Sequence, residues 1–230
     1  MILSVHQPQY IPWLGYFDKI ARSDAFVFLD QVQYKEREFQ NRNKIRTDRG
    51  GLWLTVPVIS KGLGRQKIND VLIDYDTDWR KQHLESLKTY YGRAPYFKKY
   101  IGFFEDLYSR KWERLGKLNV LIVRFMLREL GIDTPLYFES ELGTTAAKSE
   151  RIIELCLKMK AERYLSGSGG RDYLEEEKFK QAGIELVYQS FEHPEYRQQF
   201  MRDKDHFLAH LSTVDLLFNE GPNSRKILEC

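Results

Sequence analysis

The chain has 230 residues, of which 42% are hydrophobic and 30% charged, with a formal net charge of +3. That composition is ordinary for a globular protein, so disorder is not the default reading, and the length suits one α/β domain with room for a helical insert. The small net charge leaves no electrostatic footprint of a nucleic-acid binder, and no apolar run approaches the roughly 20 residues a membrane span needs.

The opening MILSVHQPQY has neither the basic start nor the long apolar core of a signal peptide. Ile2–Val5 is a short apolar run that predicts a first strand. Pro8 and Pro12 hold the next stretch extended, and Leu14, Phe17, Ile20 and Ala21 then recur at helical spacing. Ala25–Leu29 (AFVFL) predicts a buried second strand ending at Asp30, so about thirty residues make one unit of βαβ size. Gln31–Gly51 is polar and basic and reads as a long loop with room for a hairpin. Leu52–Val58 predicts a strand that Pro57 places at an edge or near its own end. Gly62–Arg65 reads as a turn and Val71–Ile73 as a short strand.

From Trp79 to Leu130 the pattern is helical. Leu84, Leu87 and Tyr91 share one face of a first helix, with Asp76 or Asp78 as its expected cap. Tyr96–Tyr108 predicts a second helix. Leu115, Leu118, Leu121, Ile122, Phe125, Met126 and Leu130 mark a third, long and amphipathic, closed by Gly131. Strands are then predicted at Pro135–Phe138, Tyr164–Leu165 and Ile184–Tyr188, alternating with helices at Ser149–Met159 and Tyr173–Gln181. This alternation predicts a Rossmann-like, three-layer α/β fold with a mostly parallel sheet. The expected organisation is a single domain over 1–230, with 79–130 as a helical insert or lid.

Two cysteines, Cys156 and Cys230, offer neither a disulfide framework nor a metal spacing, which fits a reducing, cytoplasmic compartment. Cys156 falls in an apolar helical pattern and reads as a core residue, whereas Cys230, the last residue, reads as mobile. HExxH, CxxC and paired-histidine motifs are absent, so the sequence offers no metal site. GxSxG is absent as well, and with it the usual serine-hydrolase elbow.

Three stretches carry the candidate chemistry. In YLSGSGG a strand runs into Ser166, Gly167, Ser168, Gly169 and Gly170 and then towards a helix. Exposed backbone N–H groups at such a turn suit a phosphate or carboxylate, and Arg171 and Tyr173 follow at once. The spacing is neither a Walker loop nor GxGxxG; the competing reading is a flexible strand-to-helix turn. In VHQPQYIPWLGYF the first strand delivers His6 and Gln7 to the carboxyl edge of the sheet, where ligands of open parallel sheets bind. His6 is a candidate general acid, base or phosphate donor, Tyr10 and Trp13 are candidate cleft walls, and the competing reading is a histidine satisfying buried backbone.

In QVQYKEREFQNRNKIR the candidates are Gln33, Asn41 and Arg42, with Arg42 able to clamp an anion bidentately. Glu36 and Glu38 dilute the surrounding positive charge, as a solvated loop also would. Asp30 belongs to the same sheet edge as His6. Near the C-terminus, His193 is held extended by Pro194, and Asp215 sits in an apolar helical run one turn before Asn219. A carboxylate there needs a partner, in the core or on a substrate. Tyr34 and Tyr196 are further candidate wall residues, and His83 with Trp79 belongs to the first of the middle helices.

The string HQPQYIPWLGYFDKIARSDAFVFLDQVQYKEREFQNRNKIRT, together with WLTVPV, YLSGSGG, HPEYRQ and LSTVDLLFNEG, resembles the WbqC-like protein family over essentially the whole chain. That family is bacterial, and its members often accompany genes for O-antigen and related surface polysaccharides. The resemblance therefore implies a pathway more than a reaction. A fainter similarity runs to the nucleotidylyltransferase and pantothenate-synthetase class, where a histidine-bearing turn follows the first strand and a late Ser/Gly turn holds nucleotide phosphates. The chain departs from that class in having only His6, followed later by LGYF, in place of an HxGH pair.

Taken together these features point to a transferase or amide-forming ligase acting on a nucleotide-linked amino sugar by acyl or aminoacyl transfer. The glycine turn would hold a phosphate, Arg42 would neutralise charge, His6 would move a proton, and Asp30 or Asp215 would orient the histidine or amine. The ligand candidates are ATP, a CoA thioester and a nucleotide sugar, with no metal. The alternatives are a non-enzymatic nucleotide-sugar binding protein, an ATP-using enzyme of the nucleotidylyltransferase type and, against the charge balance, a nucleic-acid binder through 31–46.

Overall fold

Side-chain alternation along the first strand decides where the helices pack. In the computed structural model, which describes residues 1–202 and 206–229, strand β1 (Ile2–His6) sends Leu3 and Val5 to one face and Ser4 and His6 to the other. Strand β2 (Ala25–Phe28) lies parallel to it with Leu3 level with Ala25 and His6 level with Phe28. Leu3, Val5, Ala25 and Val27 form one core with helices α6 (Lys148–Met159) and α7 (Glu176–Gln181), through Ile152, Leu155, Cys156 and Phe179. Helix α1 (Leu14–Ala21) covers the opposite face. There Tyr16 meets Phe26 edge-on with ring centroids 5.7 Å apart, and the Ser23 hydroxyl donates to Ser4 Oγ at 2.7 Å.

Three more strands complete this sheet: β5 (Leu136–Phe138), β6 (Arg163–Ser166) and β7 (Glu185–Tyr188). The order is β5-β2-β1-β6-β7 and every pairing is parallel. From the central β1 the chain builds outwards to β2 and β5, then returns to the other side of β1 for β6 and β7. This is the Rossmann-like α/β topology expected from the sequence. Its topological switch point lies between β1 and β6 at their carboxyl ends. The sheet unit comprises Met1–Pro8, Gly15–Val32 and Ile132–Glu192.

A second compact unit holds Gln9–Leu14, Gln33–Gly131 and the stretch from His193 onward. Its antiparallel hairpin joins β3 (Arg42–Thr47) and β4 (Gly50–Thr55). The hairpin therefore occupies the second half of the stretch read as a loop, and its second strand starts two residues before the expected Leu52. Helices α2 (Trp79–Tyr91), α3 (Phe97–Ser109) and α4 (Leu115–Glu129) match the helical reading of 79–130. Gly131 takes a left-handed φ of 64° just past α4, which a glycine adopts without steric cost. Helix α8 (Thr213–Glu220), whose Ser212 cap accepts from the Val214 N–H, and the short α9 (Ser224–Leu228) follow.

Three local readings are corrected. Val71–Ile73 is no strand: a 3-10 turn spans Ile68–Asp70, and Leu72 and Ile73 make only single bridges, to Arg114 and Val58. Asp78 occupies the cap position of α2, but its side chain makes no cap bond, and the Asp76 N–H is taken by the Asp74 carboxylate at 2.8 Å. The helix expected from Tyr173 begins only at Glu176, because a 3-10 turn over Ser168–Asp172 comes first. Cys156 is buried as expected, and Cys230 lies outside the described residues. Among the described residues no helix is long and apolar enough to cross a membrane.

Candidate functional site

At the switch point of the sheet unit, the last residue of β1 is His6. Its register with β6 pairs Ser4 with Leu165, so two residues further on His6 comes level with Gly167. The half-buried imidazole places Nδ1 3.2 Å from the Gln7 carbonyl. A carbonyl only accepts, so the proton sits on Nδ1 and Nε2 is the open acceptor. Tyr16 fixes the ring by edge contact at 5.1 Å and donates its hydroxyl to the same carbonyl at 3.2 Å. Burial, reinforced by the charge of Lys19, pushes the His6 pKa down to about 3. The imidazole is therefore neutral throughout the physiological range.

Lys19 was not singled out from the sequence. It lies one turn beyond Tyr16 on α1 and is only 3% exposed. Its Nζ donates to the Val5 carbonyl at 3.1 Å and lies 3.9 Å from where a Cβ on Gly167 would sit. Burial pushes its pKa down to about 7. The neighbouring carboxylate, Asp18, is already engaged by Arg22 Nε at 2.6 Å and by Gln189 Nε2 at 2.6 Å. Gln189, just past β7, also donates to the Gly15 carbonyl at 2.9 Å and so ties the start of α1 to the sheet.

The Ser-Gly turn follows β6. Ser166 is buried and its hydroxyl bonds back to the Gly167 carbonyl at 3.0 Å. A Cβ on Gly170 would stand 2.0 Å from Ser166 Oγ and 3.0 Å from Leu174 Cδ1, so this position requires glycine. Gly170 N–H closes the turn on the Gly167 carbonyl at 2.9 Å. Ser168 and Gly169 are exposed at the start of the 3-10 turn, where the first N–H groups have no acceptor within the turn itself. Tyr173 is 62% exposed, and Arg171 lies over the Tyr188 ring at 4.1 Å. Asp30, beyond the end of β2, accepts from Ser140 N–H at 2.9 Å and Ser140 Oγ at 2.6 Å, at the start of the short helix α5 (Glu139–Leu142). His6 thus takes its orientation from the Gln7 carbonyl rather than from Asp30.

The remaining sequence candidates belong to the second unit. Tyr10 is fully buried, its hydroxyl 2.8 Å from His83 Nδ1 and 2.5 Å from the Tyr108 hydroxyl. Asp215 is also fully buried and accepts from the hydroxyls of Tyr91 at 2.7 Å and Tyr196 at 2.9 Å. Burial raises its pKa to about 6 against the opposing pull of those bonds. Asn219 donates to the Asp215 carbonyl at 2.7 Å and accepts from Gln199 at 2.8 Å. Asn41 donates to the Val56 carbonyl at 2.9 Å, and Arg42 lies over the Trp53 ring at 4.3 Å and bonds the Arg37 carbonyl.

His193 donates to the Pro194 carbonyl at 2.9 Å, and its ring lies 5.4 Å from His210, which Trp13 also meets at 5.3 Å. Gln33 is exposed and bridges to Lys67. A groove of about 690 Å³ in this unit is lined by Asp48, Arg49, Leu52, Thr89, Tyr90 and Phe200 among others, and by none of the sequence candidates. Among the described residues no group of His, Cys, Asp or Glu is arranged to hold a metal ion.

The sheet unit thus places a neutral imidazole at the end of β1 and a Ser-Gly turn after the adjacent β6, with the buried amine of Lys19 on α1 beside them. Comparison with known proteins adds lineage to this geometry. A protein of Mycobacterium tuberculosis (strain ATCC 25618 / H37Rv), named "Uncharacterized protein Rv1507c", is 36% identical over 220 residues, covering 95% of this chain and 94% of its own length. No solved structure matches the chain. The model of the WbqC-like protein family matches residues 7–227, so the chain belongs to that family.

Proposed function

We propose that this chain is a cytoplasmic enzyme of bacterial surface-polysaccharide synthesis, a transferase or amide-forming ligase that modifies a nucleotide-linked amino sugar. One observation carries the reading: an imidazole fixed in its acceptor tautomer stands level with an N–H-bearing Ser-Gly turn at the switch point of a parallel sheet. The turn suits the anionic phosphates, and His6 Nε2 suits the N–H of the sugar amine. In the reaction the amine nitrogen attacks an acyl carbonyl carbon, the C–N bond forms and the leaving group departs with the acyl bond electrons. The amine proton is passed on to that leaving group. With a pKa near 3, His6 acts by accepting a hydrogen bond that aims the amine's lone pair, and it is not a resting general acid.

The same weak basicity favours a second reading, a binding protein that carries a nucleotide sugar without transforming it. A thermal-shift series with ATP, CoA thioesters and UDP-, dTDP- and GDP-sugars tests the shared premise. A nucleotide sugar at about 100 times its Kd is expected to stabilise the fold by about 2.7 kcal/mol, and stabilisation by none of them would refute both readings. Acyl transfer to the stabilising sugar, lost in His6→Ala with binding retained, distinguishes the enzyme from the carrier.

A further inference from the structure

We propose that the groove of the second unit, lined by the β3–β4 turn, the end of α2 and Phe200, is a binding site for an uncharged oligosaccharide. The proposal goes beyond the nucleotide-sugar reading, uses none of its residues and stands or falls separately.

The groove has a volume of about 690 Å³, within the roughly 300–1,000 Å³ of small-molecule sites. Part of its lining is aromatic. Phe200 is 44% exposed, and its ring meets that of the half-buried Tyr90 edge-on at 6.3 Å. Phe200 holds a left-handed φ of 63°, a strained conformation for a bulky residue. The chain before it is fastened by side chains: the Gln199 carbonyl accepts from Arg46 Nε at 3.0 Å. Gln198 accepts from the Leu208 N–H at 2.9 Å and donates to the Leu208 carbonyl at 3.0 Å. The fold thus sustains backbone strain for a ring that the core does not bury.

The hairpin turn adds charge of both signs. Asp48 and Arg49 are exposed, and among the described residues their side chains make no ion pair or hydrogen bond. Thr89, exposed on α2, adds a hydroxyl.

This lining selects among ligand classes. An anion drawn to Arg49 is repelled by Asp48, and a cation meets the reverse. A hydrocarbon would desolvate both charges without pairing either. A saccharide hydroxyl is donor and acceptor at once, so neighbouring hydroxyls satisfy carboxylate and guanidinium together. The C–H face of a pyranose covers the exposed aromatic surface. A groove of this volume holds a drug-sized molecule, more than a single sugar ring.

The test is titration with cellotriose, maltotriose and triacetylchitotriose, read by saturation-transfer NMR and by aromatic ¹H–¹³C spectra of the protein. At least one trisaccharide should bind and shift the Phe200 and Tyr90 resonances. Phe200→Gly removes the ring where glycine adopts the backbone without steric cost, and it should weaken binding about tenfold or more. Asp48→Ala should weaken it about tenfold. Binding of none of the three, binding that leaves both rings unshifted, or full affinity in both variants overturns the proposal. So does tighter binding at the same residues by inorganic phosphate, spermidine or trialanine, which would assign the groove to an anion, a cation or a peptide. Should a variant fail to fold, the wild-type shift map decides alone.

Discussion

A lysine whose pKa falls from 10.5 to about 7 makes the folded and unfolded chains hold different numbers of protons between those values. The unfolded chain holds more, so stability rises with pH across that window, and below it the folded state carries the full cost of a buried charge. Urea titrations of the wild type and Lys19→Met should therefore converge as pH rises from about 7 towards 10, with the variant's curve flatter. Parallel curves would mean that Lys19 is solvated in the folded state. The strand-end position of His6 was legible in the sequence because the apolar run Ile2–Val5 gives way there to polar residues and prolines. Lys19 was not, because a single lysine in an amphipathic pattern is ordinarily solvated, and only the burial of α1 on nearly every side reveals its position. Asp215 signalled its need for a partner; that the partners are two tyrosines required coordinates.

Elements whose cores are apolar were readable, and those stabilised by polar side chains were less so. AFVF and ILSV announce strands because short apolar runs bounded by polar residues suit a parallel sheet covered on both faces. The β3–β4 hairpin is hidden behind Arg, Asn and Lys, because one of its buried positions is an asparagine that bonds backbone: Asn43 reaches the Ile11 carbonyl at 2.8 Å. The turn after β6 was recognised, but its conversion into a 3-10 turn was not, since its geometry depends on how closely Gly170 approaches Ser166. Gly170→Ala should accordingly destabilise the chain by about 1–3 kcal/mol through overpacking, measured as a lowered denaturant midpoint with an unchanged slope. Rotating the Ser166 hydroxyl away would still leave Ser166 Cβ at 3.2 Å from the new methyl, so an unaffected variant would contradict this tight turn.

At the scale of the molecule, βαβ alternation was enough to predict a Rossmann-like sheet. The strand order needed the structure, because long segments separate neighbouring strands: β2 and β5 are adjacent in the sheet although residues 29–135 lie between them. The weave of the second unit was equally hidden, since it draws Tyr91 and Arg46 from the middle of the chain and Asp215, Tyr196 and Gln198 from its end. A chain ending at residue 192 should therefore leave Tyr91 and Arg46 without those partners. Its 33–131 segment should become sensitive to limited proteolysis, and resistance equal to that of the full chain would show that the buried carboxylate network is dispensable.

The central position of β1 also has a meaning in time. Of the five strands of this sheet β1 comes earliest in the chain, yet its neighbour on one side, β6, is not complete until Ser166 has been added. Throughout that interval Leu3 and Val5 belong to a sheet with one ladder unmade. Unpaired strand edges and late, long-range pairings are what make nascent chains slow to fold and prone to stick. Growth at lowered temperature or with added chaperone capacity should accordingly raise the soluble yield of this chain, and stalled nascent chains should first resist protease only after β6 has left the exit tunnel.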